Sequence, residues 1–327
     1  MSLRFALYGV GPIGSLIGKV ALARGYELVA AIDIDPNKVG RDVGNVMDIG
    51  KELGVRVTND PDVLYKVEPH IVFHATGTWL DKIYPQLVQA MDAGADVIST
   101  SETLAYPYRR YPELAALLDE YARSRGVTLL GAGVNPGFIL DVLPAVMTAT
   151  SAMLEGVTTI RSLDASKRRK PFRDKIGLGL DPEEFKRLLE EGKLTGHVGY
   201  AESVYLISEI TGLPVEKVVE RQEPVIADKR VEVNGITVEK GQVLGVYGYG
   251  AGYQEDVEVI KVELRAGLGF GDFEEIRIFG EPEITWKSSG THGDTATAAV
   301  VVNMAPRIVE ERPGLVTMAD LLKISYS

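Results

Sequence analysis

The sequence predicts an α/β chain in two parts: a doubly wound parallel sheet, then an α+β domain built on a mostly antiparallel sheet. Three observations carry this reading. Short apolar runs alternate with helical periods as far as about residue 140; strands follow one another without intervening helices from Arg230 to Phe279; and the first strand runs directly into Gly9-x-Gly11-x-x-Gly14.

The first strand, from Leu3, meets Gly9, and a helix opens at Pro12 and Ile13, passes Gly14 and ends near Arg24–Gly25. A second strand, Glu27 to Ile32, ends in Asp33. This context makes the first domain Rossmann-type and implies a dinucleotide, NAD or NADP. Gly9 permits the tight turn, Gly11 lets backbone approach a pyrophosphate, and Gly14 lets helix pack on strand. The helix N-terminus offers free N–H groups and a positive dipole end. Asp33, nineteen residues past Gly14, can take both ribose hydroxyls. Asp33 and Asp35 point to NAD, whereas Lys38 and Arg41 suit the 2′-phosphate of NADP, so the reading is dual use. Lys38 and Arg41 read equally well as a solvated helix face. The bland alternative for the whole fingerprint is a doubly wound domain whose crevice is put to another use.

His70–Ala75 reads as a buried parallel strand that delivers Thr76-Gly77-Thr78. A helix from Asp81 to Ala93 closes at Gly94, and the strand Ala95–Ser99 delivers Thr100-Ser101-Glu102. After a helix from Tyr111 to Arg125, the strand Val127–Ala132 ends in Gly133-Val134-Asn135-Pro136-Gly137. Ligands in such sheets sit beyond the carboxyl ends of the strands, so Thr76, Gly77, Thr100 and Asn135 join the cofactor set. Glu102 is the candidate catalytic acid or base, because a carboxylate in a closed cleft loses solvation and is tuned for proton exchange. Its alternative is a helix-capping or ribose-contacting acid. Asn135 could hold the nicotinamide carboxamide or the substrate, or be a plain turn asparagine. His74, inside an apolar strand, reads as a satisfied core histidine.

The second domain spans residues 141–290, and a C-terminal helical segment, 291–327, is expected to pack back on the nucleotide domain of residues 1–140. Val157–Asp164 reads as a strand, Asp181-Pro182-Glu183-Glu184 as a capped helix start, Ala201–Thr211 as a helix and Val215–Arg221 as another. Strands follow: a hairpin turning at Asn234-Gly235, then Gln242–Val246, Val257–Ala266 and Phe273–Phe279. The alternation slips between Val259 and Ile260, which suggests a bulge. His197 and His292, each in a glycine-framed loop, could bind substrate or relay a proton, or merely satisfy loop backbone. The basic run Lys167–Arg173 reads as a solvated surface stretch, except that Arg173 is the candidate receptor for a substrate carboxylate.

The chain has 327 residues, a net charge of −11, no cysteine and four histidines. Disulfides and thiolate chemistry are thereby excluded, and no metal site is expected. The acidic balance argues against nucleic acid and anionic membranes as partners. No apolar run reaches membrane-spanning length and no signal peptide is read, so a cytoplasmic location is expected. The lack of cysteine and the wealth of Glu, Lys and Arg suggest a thermophile.

Placed together, Ile98–Pro107, Gly131–Pro144, Lys175–Gly179, Gly196-His-Val-Gly199-x-x-Glu202-Ser203 and Gly290-x-His292-Gly-Asp294 through Asn303 give a chain that resembles 2,4-diaminopentanoate dehydrogenase and the related NAD(P)-dependent amine dehydrogenases. The paired-histidine motif of dihydrodipicolinate reductase is absent, and Ser101-Glu102 stands where homoserine dehydrogenase has Asn-Lys. The resemblance implies a second domain with an open sheet, a homodimer joined through it, and reversible oxidation of an amine carbon to a ketone with release of ammonia. It maps the family's catalytic acid onto Glu102. The expected partners are a small amine or ketone and ammonia. The alternatives are another reductase or dehydrogenase of neighbouring fold, or a non-catalytic NAD(P)-sensing protein.

Overall fold

The computed structural model describes residues 2–322. It divides into two compact units, one reaching Phe138 and taking in His292–Leu321, the other spanning Ile139–Thr291. The first unit contains β1 (Arg4–Tyr8), α1 (Pro12–Ala23), β2 (Glu27–Ile32), α2 (Val43–Val46), β3 (Val57–Thr58), α3 (Val63–Val67), β4 (Ile71–His74), α4 (Leu80–Asp92), β5 (Asp96–Ser99), α5 (Pro107–Arg110), α6 (Pro112–Arg125) and β6 (Thr128–Gly131). The second contains α7 (Val142–Met147), β7 (Met153–Asp164), α8 (Lys170–Lys175), α9 (Pro182–Glu190), α10 (Tyr200–Thr211), β8 (Lys217–Ile226), β9 (Val231–Val233), β10 (Ile236–Val238), β11 (Val243–Gln254), β12 (Val257–Gly267), β13 (Phe273–Glu281) and β14 (Ile284–Lys287). The chain then returns to the first unit with α11 (Gly293–Ile308), β15 (Gly314–Val316) and α12 (Met318–Leu321).

The first sheet has the order β3-β2-β1-β4-β5-β6-β15, and every pair is parallel. Its strands are short and apolar on both faces, as helices on either side require: Ile71, Val72 and Phe73 of β4 are all fully buried. Strand order reverses between β1 and β4, so the crevice of a doubly wound sheet opens beyond Tyr8 and His74. The expected helix over 291–327 is interrupted. It stops at Ile308, and Pro313-Gly314 gives way to a short apolar strand, β15, which extends the sheet beside β6. Proline cannot continue a helix, and Gly314 takes a φ of 137° that other residues avoid. Residues 323–327 of that segment lie outside the described residues.

The second sheet runs β14-β13-β7-β12-β11-β8, antiparallel except for the parallel pair β7–β12. The slip at Val259 is a bulge, since Gly252 pairs with Ile260 and Tyr253 with Glu258, leaving Val259 unopposed. Asn234 and Gly235 both take positive φ, 51° and 74°, as a tight hairpin turn requires. Two expectations for this sheet are corrected as well. Val215–Arg221 is not a helix but largely the edge strand β8, whose residues pair with β11 along their length. Cross-strand pairing overrides the helical spacing, and the adjacent Val218 and Val219 favour the extended form.

The strand read as Gln242–Val246 in fact continues to Gln254, through Tyr247-Gly248-Tyr249-Gly250-Ala251-Gly252-Tyr253. Alternate glycines resemble a loop, but here they are one face of a strand. A Cβ on Gly248 would overlap the Tyr200 hydroxyl, and one on Gly250 would lie 2.9 Å from both Cβ and the carbonyl oxygen of Tyr200. The glycines thus let α10 lie directly on the sheet. Gly250→Val should destabilise the protein by about 1–3 kcal/mol, the usual cost of overpacking, measured as a lower denaturation midpoint with unchanged slope. An unchanged midpoint would show that α10 does not press on β11.

Candidate active site

Five loops at the carboxyl ends of the first sheet carry the candidate residues. Gly9 follows β1 with a φ of 96°, and a Cβ there would stand 2.5 Å from the carbonyl oxygen of Ala75. Gly14, in the first turn of α1, sits so close to Gly9 that a Cβ would overlap the Gly9 carbonyl oxygen. Gly11 differs: nothing lies within 4 Å of where its Cβ would be. Gly11 is the N-cap of α1, with Pro12 and Ile13 opening the helix and no side chain bonding its first N–H groups. Those unsatisfied donors and the helix dipole face open space at the one fingerprint glycine whose surroundings do not demand glycine. The cradle fits a pyrophosphate.

Asp33 follows β2. Its Oδ2 accepts hydrogen bonds from Val10 N at 2.9 Å and Lys38 Nζ at 2.8 Å, and its Oδ1 accepts from Asp35 N at 2.9 Å. Burial alone would raise its pKa, but bonds from Lys38, Asp35 and Val10, with the Lys38 charge, hold it below the ordinary carboxylate value. Arg41 is exposed, bonded to Asn37 O at 3.3 Å. Thr76 and Gly77 are exposed after β4, and Thr100 is half-buried after β5. In the loop after β6, Asn135 has a buried Oδ1 with no hydrogen-bond partner. Thr297 of α11 steadies that loop, accepting from Val134 N at 3.4 Å. An orphaned amide oxygen invites a donor such as a carboxamide N–H.

Glu102 opens a 3-10 turn, Glu102–Leu104, and is half-buried. The residues on either side are tied to the β4 loop: Ser101 Oγ donates to Thr78 O at 2.6 Å and Thr103 Oγ1 to the same oxygen at 2.9 Å. Thr103 Oγ1 also accepts from Leu80 N at 2.9 Å. The first unit thus brings Gly9–Gly14, Asp33, Thr76, Thr100, Glu102 and Asn135 to one end of one sheet. His292 belongs to this unit too, but it is exposed and caps α11, its Nδ1 accepting from Thr295 N.

The second unit has its own buried polar cluster. Arg161, on β7, is 2 % exposed; its Nε lies 3.3 Å from Glu274 and its Nη2 donates to Thr291 O at 2.8 Å. Burial lowers its pKa to about 10 against the pull of Glu274, so it stays charged. His197 is pushed down to about 3, first by burial and then by the charges of Lys175 and Arg161, so its ring is neutral. Its Nε2 has no partner, nor has the hydroxyl of Tyr200, against whose ring it stands edge-on at 4.7 Å. Arg173 is half-buried in α8. Arg161 was not singled out from the sequence, although an arginine inside the run Val157-Thr-Thr-Ile-Arg-Ser-Leu163 was a visible signal.

Gly11→Ala is the sharpest probe of the cradle. Its backbone is extended and its surroundings open, so stability should change by less than about 1 kcal/mol. Affinity for a nicotinamide dinucleotide should nevertheless fall at least tenfold in a fluorescence titration. Unchanged affinity would place the pyrophosphate elsewhere.

Comparison with known proteins gives a consistent assignment. Residues 138–325 match the 2,4-diaminopentanoate dehydrogenase C-terminal domain. The 2,4-diaminopentanoate dehydrogenase of Acetoanaerobium sticklandii is 29% identical over 337 residues, covering 98% of this chain and 93% of the relative. An amine dehydrogenase of Streptomyces virginiae is 28% identical over 194 residues, 56% of this chain and 52% of the relative. Among solved structures, an amine dehydrogenase from Mycobacterium smegmatis superposes with a TM-score of 0.86 at 28% identity, covering 98% of this chain and 96% of that one. A dihydrodipicolinate reductase from Paenisporosarcina, at 15% identity and a TM-score of 0.52, shares the fold alone. Among the described residues no helix is long and apolar enough to cross a membrane. With a family match over more than half its length and relatives aligned nearly end to end, this chain belongs to the 2,4-diaminopentanoate dehydrogenase family.

Proposed function

We propose that the protein catalyses reversible NAD(P)-dependent oxidative deamination of an amine carbon, with 2,4-diaminopentanoate or a related amine as substrate. The observation that carries this is Glu102: a carboxylate on a braced turn, at the same sheet end as a cradle suited to a dinucleotide. Bound there, the nicotinamide would accept the hydride. Gly9, Gly11 and the start of α1 would hold the pyrophosphate, Asp33 the ribose, and Asn135 the carboxamide. Glu102 takes a proton from the substrate ammonium, so that the nitrogen lone pair can drive hydride from the carbon. Having passed that proton to solvent, the same carboxylate takes a proton from the water that attacks the iminium carbon, returns it to the carbinolamine nitrogen, and takes the hydroxyl proton as the carbonyl forms and ammonia leaves. In reverse Glu102 holds ammonia and guides its addition to the ketone.

The first unit, on this reading, binds the cofactor and carries the proton acceptor, and the second carries the surface for a partner subunit. The sheet face opposite α10 bears Tyr247 and Tyr249, with Arg265 and Lys261 over their rings at 5.7 and 5.4 Å, and we assign it to a homodimer interface.

Two measurements test the reading. Glu102→Gln keeps shape but removes the base, so kcat for deamination should fall by roughly 10²–10⁴-fold while cofactor affinity holds. The assay compares 2,4-diaminopentanoate with simple amines and homoserine, following NADH or NADPH. Near-normal turnover in the variant, or no turnover of any amine by the native protein, would end the proposal. For cofactor choice, Lys38→Ala leaves Asp33 ionised without its cation, which repels a 2′-phosphate. NADP affinity should drop by about ten- to a hundredfold, as expected for a lost charge-assisted bond, and NAD affinity by less. Equal loss for both cofactors would remove Lys38 from discrimination.

A further inference from the structure

His74 is a fully buried titratable group for which the proposed chemistry has no use. It is the last residue of β4, and its ring lies in a continuous chain of hydrogen bonds. Ser101 N lies 3.2 Å from Ser99 Oγ, and Ser99 Oγ lies 2.9 Å from His74 Nδ1. His74 Nε2 lies 2.8 Å from Gln86 Oε1 and 2.9 Å from Thr76 Oγ1, and Thr76 Oγ1 donates to Gln86 Oε1. One proton arrangement satisfies the chain. The Ser101 N–H donates to Ser99 Oγ, whose own proton goes to His74 Nδ1, and His74 then donates from Nε2 to Gln86. With the proton on Nδ1 instead, Ser99 Oγ would receive two donors and its own proton would have no acceptor among these groups, while the bare Nε2 would face the Gln86 oxygen. The ring is therefore assigned neutral, and burial agrees, lowering its pKa to about 4 despite the Gln86 bond.

The two ends of the chain matter. One end is Ser101 N, the amide immediately before Glu102. The other is Thr76 and Gln86, the first in the loop assigned to the cofactor and the second on α4, which follows that loop. The same two loops are joined again at Thr78 O, which receives Ser101 Oγ and Thr103 Oγ1. We propose that Gln86, His74 and Ser99 form a buried strut that holds the Glu102 turn in register with the cofactor loop, so that His74 and Ser99 are positioning residues for the proton-transfer step. The proposal rests on Glu102 being the proton acceptor. A rigid chain suits that task, because the base must stand within hydrogen-bond reach of the amine nitrogen while hydride leaves the carbon that bears it. Misplacement by about 1 Å can cost on the order of a hundredfold.

The test is a double-mutant cycle on the full-length protein, with Ser99→Ala, Glu102→Gln and the double variant, read as kcat, amine KM and cofactor Kd. Ser99→Ala should lower kcat about tenfold and leave KM and Kd within about twofold, a split that a general loss of stability would not produce. In the Glu102→Gln background Ser99→Ala should change kcat by less than twofold, since nothing remains to position. An unchanged kcat in Ser99→Ala overturns the strut, as does an equal tenfold fall in both backgrounds or a parallel loss of cofactor affinity. Glu102→Gln alone decides whether Glu102 is the base, so failure of the strut is distinguishable from failure of the function. If Ser99→Ala does not accumulate as folded protein, Gln86→Leu cuts the same chain from a helix surface and is read by the same three numbers.

Discussion

The first unit depends on the close approach of α1 to the turn after β1. Gly14 has no room for any side chain because the Gly9 carbonyl oxygen occupies that space, and Gly9 in turn lies against the carbonyl of Ala75. Three stretches of backbone, from β1, α1 and β4, thereby meet at van der Waals distance. That contact aims the free N–H groups of α1 across the sheet end. It also places Thr76 beside the turn and brings the β4 loop within hydrogen-bond reach of Ser101 and Thr103. Even a single methyl group at position 14 would push the helix away and take the phosphate cradle with it.

Glycine does comparable work in the second unit. Gly248, Gly250 and Gly252 give one side of β11 a flat surface onto which Tyr200 and Val204 of α10 press. The opposite side is tyrosine and charge, with Glu263 only 5% exposed and bonded to Arg265 at 2.8 Å. Near the far edge of the sheet, Arg161 and Glu274 form a buried pair that clamps both backbone groups of Thr291, Glu274 accepting from its N–H and Arg161 donating to its carbonyl. Truncating one partner of such a pair leaves an uncompensated buried charge, which costs about 3–5 kcal/mol. The pair thus has a structural duty.

Much of this was legible from local pattern. The fingerprint glycines, the Asn234-Gly235 turn and the slip at Val259 each report a backbone demand that only certain residues meet, so the sequence states them openly. What was hidden depends on partners distant in the chain. Val218 and Val219 form an edge strand because β11 lies beside them, and the glycine face of β11 is intelligible only once α10 covers it. Asp33 read as a ribose ligand, but its ion pair with Lys38 is visible only in three dimensions. His74 read as a satisfied core histidine, and satisfied it is; that its partners lead to the residue before Glu102 could not be read from β4 alone.

On the proposed reading, one sheet end gathers the cofactor cradle and a single proton acceptor. A crystal structure of the protein with a nicotinamide dinucleotide and an unreactive amine analogue tests it most directly. Pyrophosphate oxygens should lie against the Gly11 backbone, the nicotinamide amide on Asn135 Oδ1, and a Glu102 carboxylate oxygen within about 3.2 Å of the amine nitrogen, directly or through one water. A dinucleotide bound in this way with the amine nitrogen held by another group, and Glu102 turned away from it, would remove Glu102 as the proton acceptor.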